Sequence, residues 1–293
     1  MSEVPEQAQR ETGAPADEGV DAAPLTRRSR REQHSRPPQS VPRRSLRARP
    51  LTVVATVAFA ALVALTGYAS PHFVTVAVAL AGVVLAWGWP VLLSLPSPRG
   101  TTAVLVVGTL LSAASVTVAR EDPFLKWVPA AMAVSVIVAF LHQLMRRDGR
   151  PRLAESVSST VAGLAVVAAG VSMAPLPRVL GGDHALAAAM AALGVSALCD
   201  PLISLHWSRR WALFIAMLFG GAAAVGVSLV AGTPELWPAG LLGLLVAAVG
   251  HAARRVVAVL PAAGMPRAQL AAAAASSLLV GAVVYPLARY FVG

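Results

Sequence analysis

Leu51 to Ala69 reads LTVVATVAFAALVALTGYA, nineteen residues without a charge. As a helix rising about 1.5 Å per residue it would be roughly 28 Å long, close to the thickness of a bilayer's hydrocarbon core. Comparable apolar runs recur at 73 to 94, 101 to 119, 127 to 145, 157 to 176, 184 to 205, 211 to 231, 238 to 260 and 269 to 292. Together they predict an all-α integral membrane domain of about nine transmembrane helices over residues 51 to 293. Composition agrees: 56% of the 293 residues are hydrophobic and 13% are charged, about half the ~25% charge of a soluble domain. A water-soluble globular class is excluded.

The charges fix an expected orientation. Arg99, then Arg146, Arg147, Arg150 and Arg152, then Arg209 and Arg210, then Arg254, Arg255 and Arg267 fall in alternate loops on the side of the N-terminus. The other side receives only Arg120, Lys126, Arg178 and Arg289. This asymmetry predicts a cytoplasmic N-terminus and an external C-terminus. Trp127, Trp207, Trp211, Trp237, Tyr68 and Tyr290 lie near the ends of the runs, where amphipathic rings prefer the interface. Trp89 beside Pro90 marks an expected kink. The net charge of +10 belongs to these loops and to the tail, so a nucleic-acid partner is not expected.

Residues 1 to 50 form a different region. They are rich in Pro, Gln, Ser, Arg and Glu with little apolar periodicity, which predicts a disordered cytoplasmic tail. The first 24 positions are acidic with Arg10 as the only base, whereas nine arginines lie between Arg27 and Arg49. A basic stretch beside a membrane span is drawn to anionic lipid heads at about 1 kcal/mol per residue. A polar, partly acidic leader of this length is not the pattern of a cleavable signal peptide. High Ala and Arg with a single Lys fit a GC-rich bacterial genome, and with it a bacterial inner membrane. Small residues crowd 220 to 226 (GGAAAVG), 240 to 243 (GLLG) and 271 to 277 (AAAAASS), which lets helix backbones approach closely in lipid.

Ionisable groups within a membrane are functional candidates because they are costly to keep there. Asp200, in ALCDPLISL, falls inside the expected sixth span, followed by Pro201. Arg254 and Arg255, in GHAARRVVAVL, either snorkel to the surface or line a polar cavity, where an arginine fork can grip phosphate. Arg209 and Arg210 in WSRRW, with RRDGRPRLAE at 146 to 155, complete a basic collar. Arg209, Arg210, Arg254 and Arg255 are therefore the candidate headgroup ligands, and Asp200 is the one candidate for chemistry. His142, His206 and His251 lie near the same side in different parts of the chain, and no close His or carboxylate spacing supports a metal site. Cys199 is the only cysteine, so no intrachain disulfide forms. Phosphate-loop, His-Glu-x-x-His and Gly-x-Ser-x-Gly patterns are absent.

From about 184 onward the order of features resembles the phosphatidate cytidylyltransferases, the CDP-diacylglycerol synthases. In that family a span ending in Ser-Asp-Thr-x-Ala-Tyr precedes Ser-Pro-Lys-Lys-Thr-Trp-Glu-Gly and a Gly-rich span; here ALCDPLIS precedes HWSRRW and a span with GG at 220 and 221. A span running into Gly-Asp-x-x-Glu-Ser corresponds to VAAVGHAARRVV. The closing His-Gly-Gly-x-x-Asp-Arg-x-Asp-Ser-Leu-Leu corresponds to LAAAAASSLL. Asp200, Gly250 and Ser277-Leu278-Leu279 match the family pattern. His251 replaces an aspartate, Ala273 and Ser276 replace the aspartate pair, and no His-Gly-Gly precedes them.

The resemblance implies a multi-span helical enzyme fold joining phosphatidate to CTP with divalent metals such as Mg²⁺. With most metal-binding carboxylates replaced, the expected function is non-catalytic: binding an anionic lipid or phosphate headgroup, or a membrane-protein partner. Two alternatives stay open. One is an active CTP-dependent lipid nucleotidyltransferase with a rearranged site, and the other is a small-solute or lipid transporter.

Overall fold

The computed structural model describes residues 49–146, 152–201 and 210–291, all within one compact unit. Residues 1 to 48 of the tail expected to be disordered, together with Arg147, Asp148, Arg150, His206, Trp207 and Arg209, lie outside the described residues, while Arg49 and Pro50 belong to the start of the first helix. Among the described residues the protein is all helical, and nine helical segments are long and apolar enough to cross a membrane. The helices are α1 (Pro50–Ala69), α2 (Pro71–Leu92), α3 (Pro98–Val118), α4 (Val128–Met145), α5 (Leu153–Val171), α6 (Gly182–Cys199), α7 (Ala212–Ala231), α8 (Leu236–Ala258), α9 (Pro266–Leu279) and α10 (Gly281–Phe291). Short 3₁₀ turns at Leu176–Arg178 and Pro261–Gly264 precede α6 and α9.

Local chemistry places the boundaries. Pro50, Pro71, Pro98 and Pro266 each open a helix, at the position where a missing N–H costs nothing and the fixed φ is already helical. Ser70 alone separates α1 from α2: its backbone is extended, and its side chain accepts from the His72 N–H. Gly232 ends α7 with φ +78°, a left-handed conformation that a side chain would strain. Two spans differ from expectation in their detail. The α-helix of the sixth span ends at Cys199 with Asp200 as its C-cap, next to Pro201, which has no N–H to continue the ladder, and residues 202–205 of the expected span lie outside the described residues. The ninth span stands as one apolar segment, Pro266–Phe291, but its α-helix is interrupted at Val280 into α9 and α10, with Pro286 inside the second. Ser172, the C-cap of α5, donates to the Gly281 carbonyl at 3.0 Å beside this interruption.

The two Ala-rich helices, α6 and α9, form the centre. Ala185, Ala188, Ala189 and Ala192 on α6, with Ala271, Ala273 and Ala274 on α9, are fully buried. α6 packs on α1, α7 and α8, while α9 packs on α1, α2, α5 and α8. Small residues permit this density. A Cβ on Gly243 would lie 2.6 Å from the Ala224 Cβ, and one on Gly88 would collide with the Arg267 carbonyl. Leu65, Val76, Leu144, Phe214, Leu218, Val230 and Val256 point outward and are exposed, as expected of a bundle solvated by lipid tails. The interfacial aromatics stand as expected: Tyr68, Trp127, Trp211, Trp237 and Tyr290 are exposed at helix ends. Trp89 is buried, and its Nε1–H donates to the Ser159 carbonyl at 2.9 Å.

Contacts between helix ends sort the charges into two layers. The start of α1 meets the end of α8 through Arg49 and Ala258, the residue after α2 meets the start of α5 through Ser94 and Arg152, and the start of α3 meets the end of α4 through Gly100 and His142. At the other end Tyr68 meets His184, Arg178 donates to Ala119, and Arg289 pairs with Asp122. Arg49, Arg99, Arg146, Arg152, Arg210, Arg254, Arg255 and Arg267 therefore share one end of the bundle, the basic end.

Candidate functional site

At the basic end, the last turn of α6 and the last two turns of α8 build a buried polar cluster. Gly250 makes it possible, because a Cβ there would stand 2.6 Å from Leu193 Cδ1 on α6, and α8 would be held away. One turn further along α8, Arg254 donates from Nε to Asp200 Oδ2 at 2.6 Å and from Nη2 to Ser196 Oγ at 2.9 Å. His251 places Nδ1 2.9 Å from Asp200 Oδ1. Since a carboxylate only accepts, that nitrogen carries the proton. Burial pushes the Asp200 carboxyl up, but the His251 hydrogen bond and the Arg254 charge outweigh it and hold the group below the usual carboxylate range. Both oxygens of Asp200 are thus engaged by cationic or imidazole donors.

Beside this cluster lies a pocket of about 470 Å³ counting its open mouth, lined by Arg49, Thr52, Asp200, Arg254 and Arg255 together with apolar residues from α1, α8, α9 and the turn before α9. Arg49, at the N-cap of α1, spans to α8 by donating from Nη2 to the Ala258 carbonyl at 3.2 Å. Its Nη1 is buried and has no partner, and the same is true of Arg254 Nη1, which packs beside Gly250. Gln269, in the first turn of α9, is not part of the lining: its carbonyl accepts the Thr52 hydroxyl, and its Nε2 donates to the Gly264 carbonyl at 3.0 Å. Gln269 Oε1 is also buried without a partner. The other unpartnered buried side-chain atoms among the described residues, Ser97 Oγ, Thr101 Oγ1 and His142 Nε2, gather at the start of α3.

The structure brings Asp200, Arg254 and Arg255 together and leaves Arg210 outside the pocket lining. Snorkelling is corrected for Arg254, whose side chain is only 3% exposed: it turns inward because Asp200 supplies a buried counter-charge. Arg49 was absent from the expected ligands because it ends a run of arginines, yet Pro50 directly after it fixes it at the mouth of the bundle. His251, expected only near the basic side, meets Asp200 in space. Ser276 and Ser277 bond to the Ala273 carbonyl of their own helix.

No family model, curated protein or solved structure matches this chain. Whether a divalent cation fits is therefore decided by the donor set itself. Asp200 is neutralised by the guanidinium of Arg254, Glu155 pairs with Arg152 at the surface, and no three His, Cys, Asp or Glu residues among those described gather into a group able to hold a metal. These residues do not fit Mg²⁺. A hard cation needs several converging oxygens, and the one carboxylate that lines the pocket among the described residues already holds a cation belonging to the chain.

Proposed function

We propose that this chain is a multi-pass protein of a bacterial inner membrane, N-terminus in the cytoplasm, with a cytidylyltransferase-like helical plan, that binds an anionic phosphate headgroup without catalysing nucleotidyl transfer. The observation that carries this reading is the pocket itself: three arginines against one carboxylate, with buried Nη1 groups on Arg49 and Arg254 that lack an acceptor. Buried polar groups are normally satisfied, and charge-assisted bonds from guanidinium to phosphate are among the stronger ones available. Arg254 stands against Asp200 where the resemblance implies a divalent metal, so a fixed positive charge takes the place of an exchangeable one. The uneven arginine distribution supports the cytoplasmic placement of the basic end.

The meeting of Asp200 with His251 keeps a second reading in play, an enzyme with a rearranged site. Incorporation of labelled CTP into lipid separates the two, using purified protein in mixed micelles with phosphatidate and Mg²⁺ or Mn²⁺ against an Asp200→Asn control. The binding reading expects no turnover above the control from folded protein. Turnover that Asp200→Asn abolishes would replace it with the enzyme.

A further inference from the structure

Resting on the headgroup reading, we infer that Asp200 sets the charge selectivity of this pocket: its carboxylate is a built-in rival of the bound phosphate, so losing that one charge strengthens anion binding, most of all for a doubly charged phosphate monoester. Asp200 belongs to the pocket lining, together with Arg49, Arg254 and Arg255. Three positive charges and one negative give these side chains a formal balance of +2. A carboxylate oxygen and a phosphate oxygen ask the same of a guanidinium, and here the carboxylate has it first. Arg254 gives Nε to Asp200 Oδ2 at 2.6 Å and Nη2 to Ser196 Oγ at 2.9 Å. The planar fork that could grip phosphate with two nitrogens is therefore engaged along its Nε–Nη2 edge.

The negative charge is also fixed in place. His251 holds Oδ1 and Arg254 holds Oδ2, so the carboxylate stays on the pocket wall when an anion arrives. Repulsion at a separation of about 6 Å and an effective dielectric constant of about 20 amounts to roughly a hundredfold in affinity for one charge, and water at the open mouth lowers this to about tenfold. Each further charge on the occupant is repelled equally, so a second one squares the factor to about a hundredfold. A purely structural role for the pair predicts the opposite sign, because removing Asp200 leaves Arg254 buried without its partner and loosens the site. An aspartate that held a metal for the ligand would likewise lose binding when replaced.

The test uses the full chain in nanodiscs at about pH 8, above the second ionisation of a phosphate monoester at about pH 6. It compares phosphatidylglycerol, a singly charged diester, with phosphatidate, a monoester. Asp200→Asn, which keeps the shape and removes the charge, is expected to tighten phosphatidylglycerol about tenfold and phosphatidate about a hundredfold. Asp200→Glu keeps the charge and gains nothing. Arg254→Gln weakens both lipids, and adding Asp200→Asn to it returns affinity close to that of the unmodified protein, since the formal balance is again +2; a structural role would leave the double variant no better than Arg254→Gln. This last comparison carries the same test if Asp200→Asn alone fails to fold. Soluble glycerol phosphate, added as a competitor, separates the sources of phosphate: displacement of lipid that strengthens in Asp200→Asn assigns the seat to a soluble ester, and failure to displace assigns it to the lipid. Affinity that falls or stays unchanged in Asp200→Asn and in the double variant relative to Arg254→Gln overturns the role of Asp200 alone. If neither lipid nor glycerol phosphate responds to Arg49→Gln, the headgroup reading itself is overturned.

Discussion

Arg254 Nε stands 2.6 Å from Asp200 Oδ2, joining the last turns of two helices whose residues are 54 positions apart. The two side chains are 3% and 11% exposed, so each neutralises a charge that would otherwise be buried alone. Removing one partner from such a pair costs about 3–5 kcal/mol, whereas replacing both with apolar groups of similar size is often neutral. Asp200→Ala is expected to lower thermal stability in detergent by an amount in that range. Asp200→Leu combined with Arg254→Met should recover most of the loss. Additive losses in the double variant would contradict the coupling.

The same pair sets an acid dependence. Because the Asp200 carboxyl is held below its ordinary value of 3.8, its stabilising contribution is complete above that value and is lost as the pH falls through the lower folded-state pKa. Asp200→Asn should remove this part of the acid-induced fall in stability. Melting temperatures measured between pH 7 and pH 3 check it, and parallel curves for the two proteins would argue against an ionised Asp200.

Close backbone approach is tested by glycines in different surroundings. Gly281 packs against the Ala169 carbonyl and Gly88 against that of Arg267, while nothing lies within 4 Å of a Cβ built on Gly226. Gly281→Ala and Gly88→Ala are expected to destabilise by about 1–3 kcal/mol. Gly226→Ala should be neutral or gain a few tenths, roughly the helix-propensity difference. Equal effects at all three positions would count against these helix contacts.

Orientation is open to direct measurement. A reporter fused after residue 150 should lie in the cytoplasm and one fused after residue 235 outside. The reverse pattern would place the arginine pocket on the external face.

Most of the helical plan was legible because a hydrocarbon solvent demands long uncharged runs, and 51 to 69 and 73 to 94 reproduce α1 and α2 within about two residues. Legibility fell where proline and close packing compete with hydropathy. The hydropathy reading passed over the Asp200 cap at the end of α6, and 269 to 292 concealed the interruption of the helix at Val280. Of the site, Asp200 and Arg254 stood out as charges beside apolar runs, but their pairing did not, because no local spacing links α6 to α8. Arg49 was hidden among its neighbours. Only three-dimensional placement shows which polar atoms lack a partner.

The most direct test of the central claim is binding of one anionic phospholipid to the purified protein, followed by native mass spectrometry with EDTA and with Mg²⁺. The expected result is retained lipid whose occupancy is the same in both conditions and falls about tenfold in Arg49→Gln, on the order of the worth of one charge-assisted hydrogen bond. Lipid binding that requires Mg²⁺, or that is indifferent to Arg49→Gln and Arg254→Gln alike, would contradict a headgroup site built on the chain's own arginines.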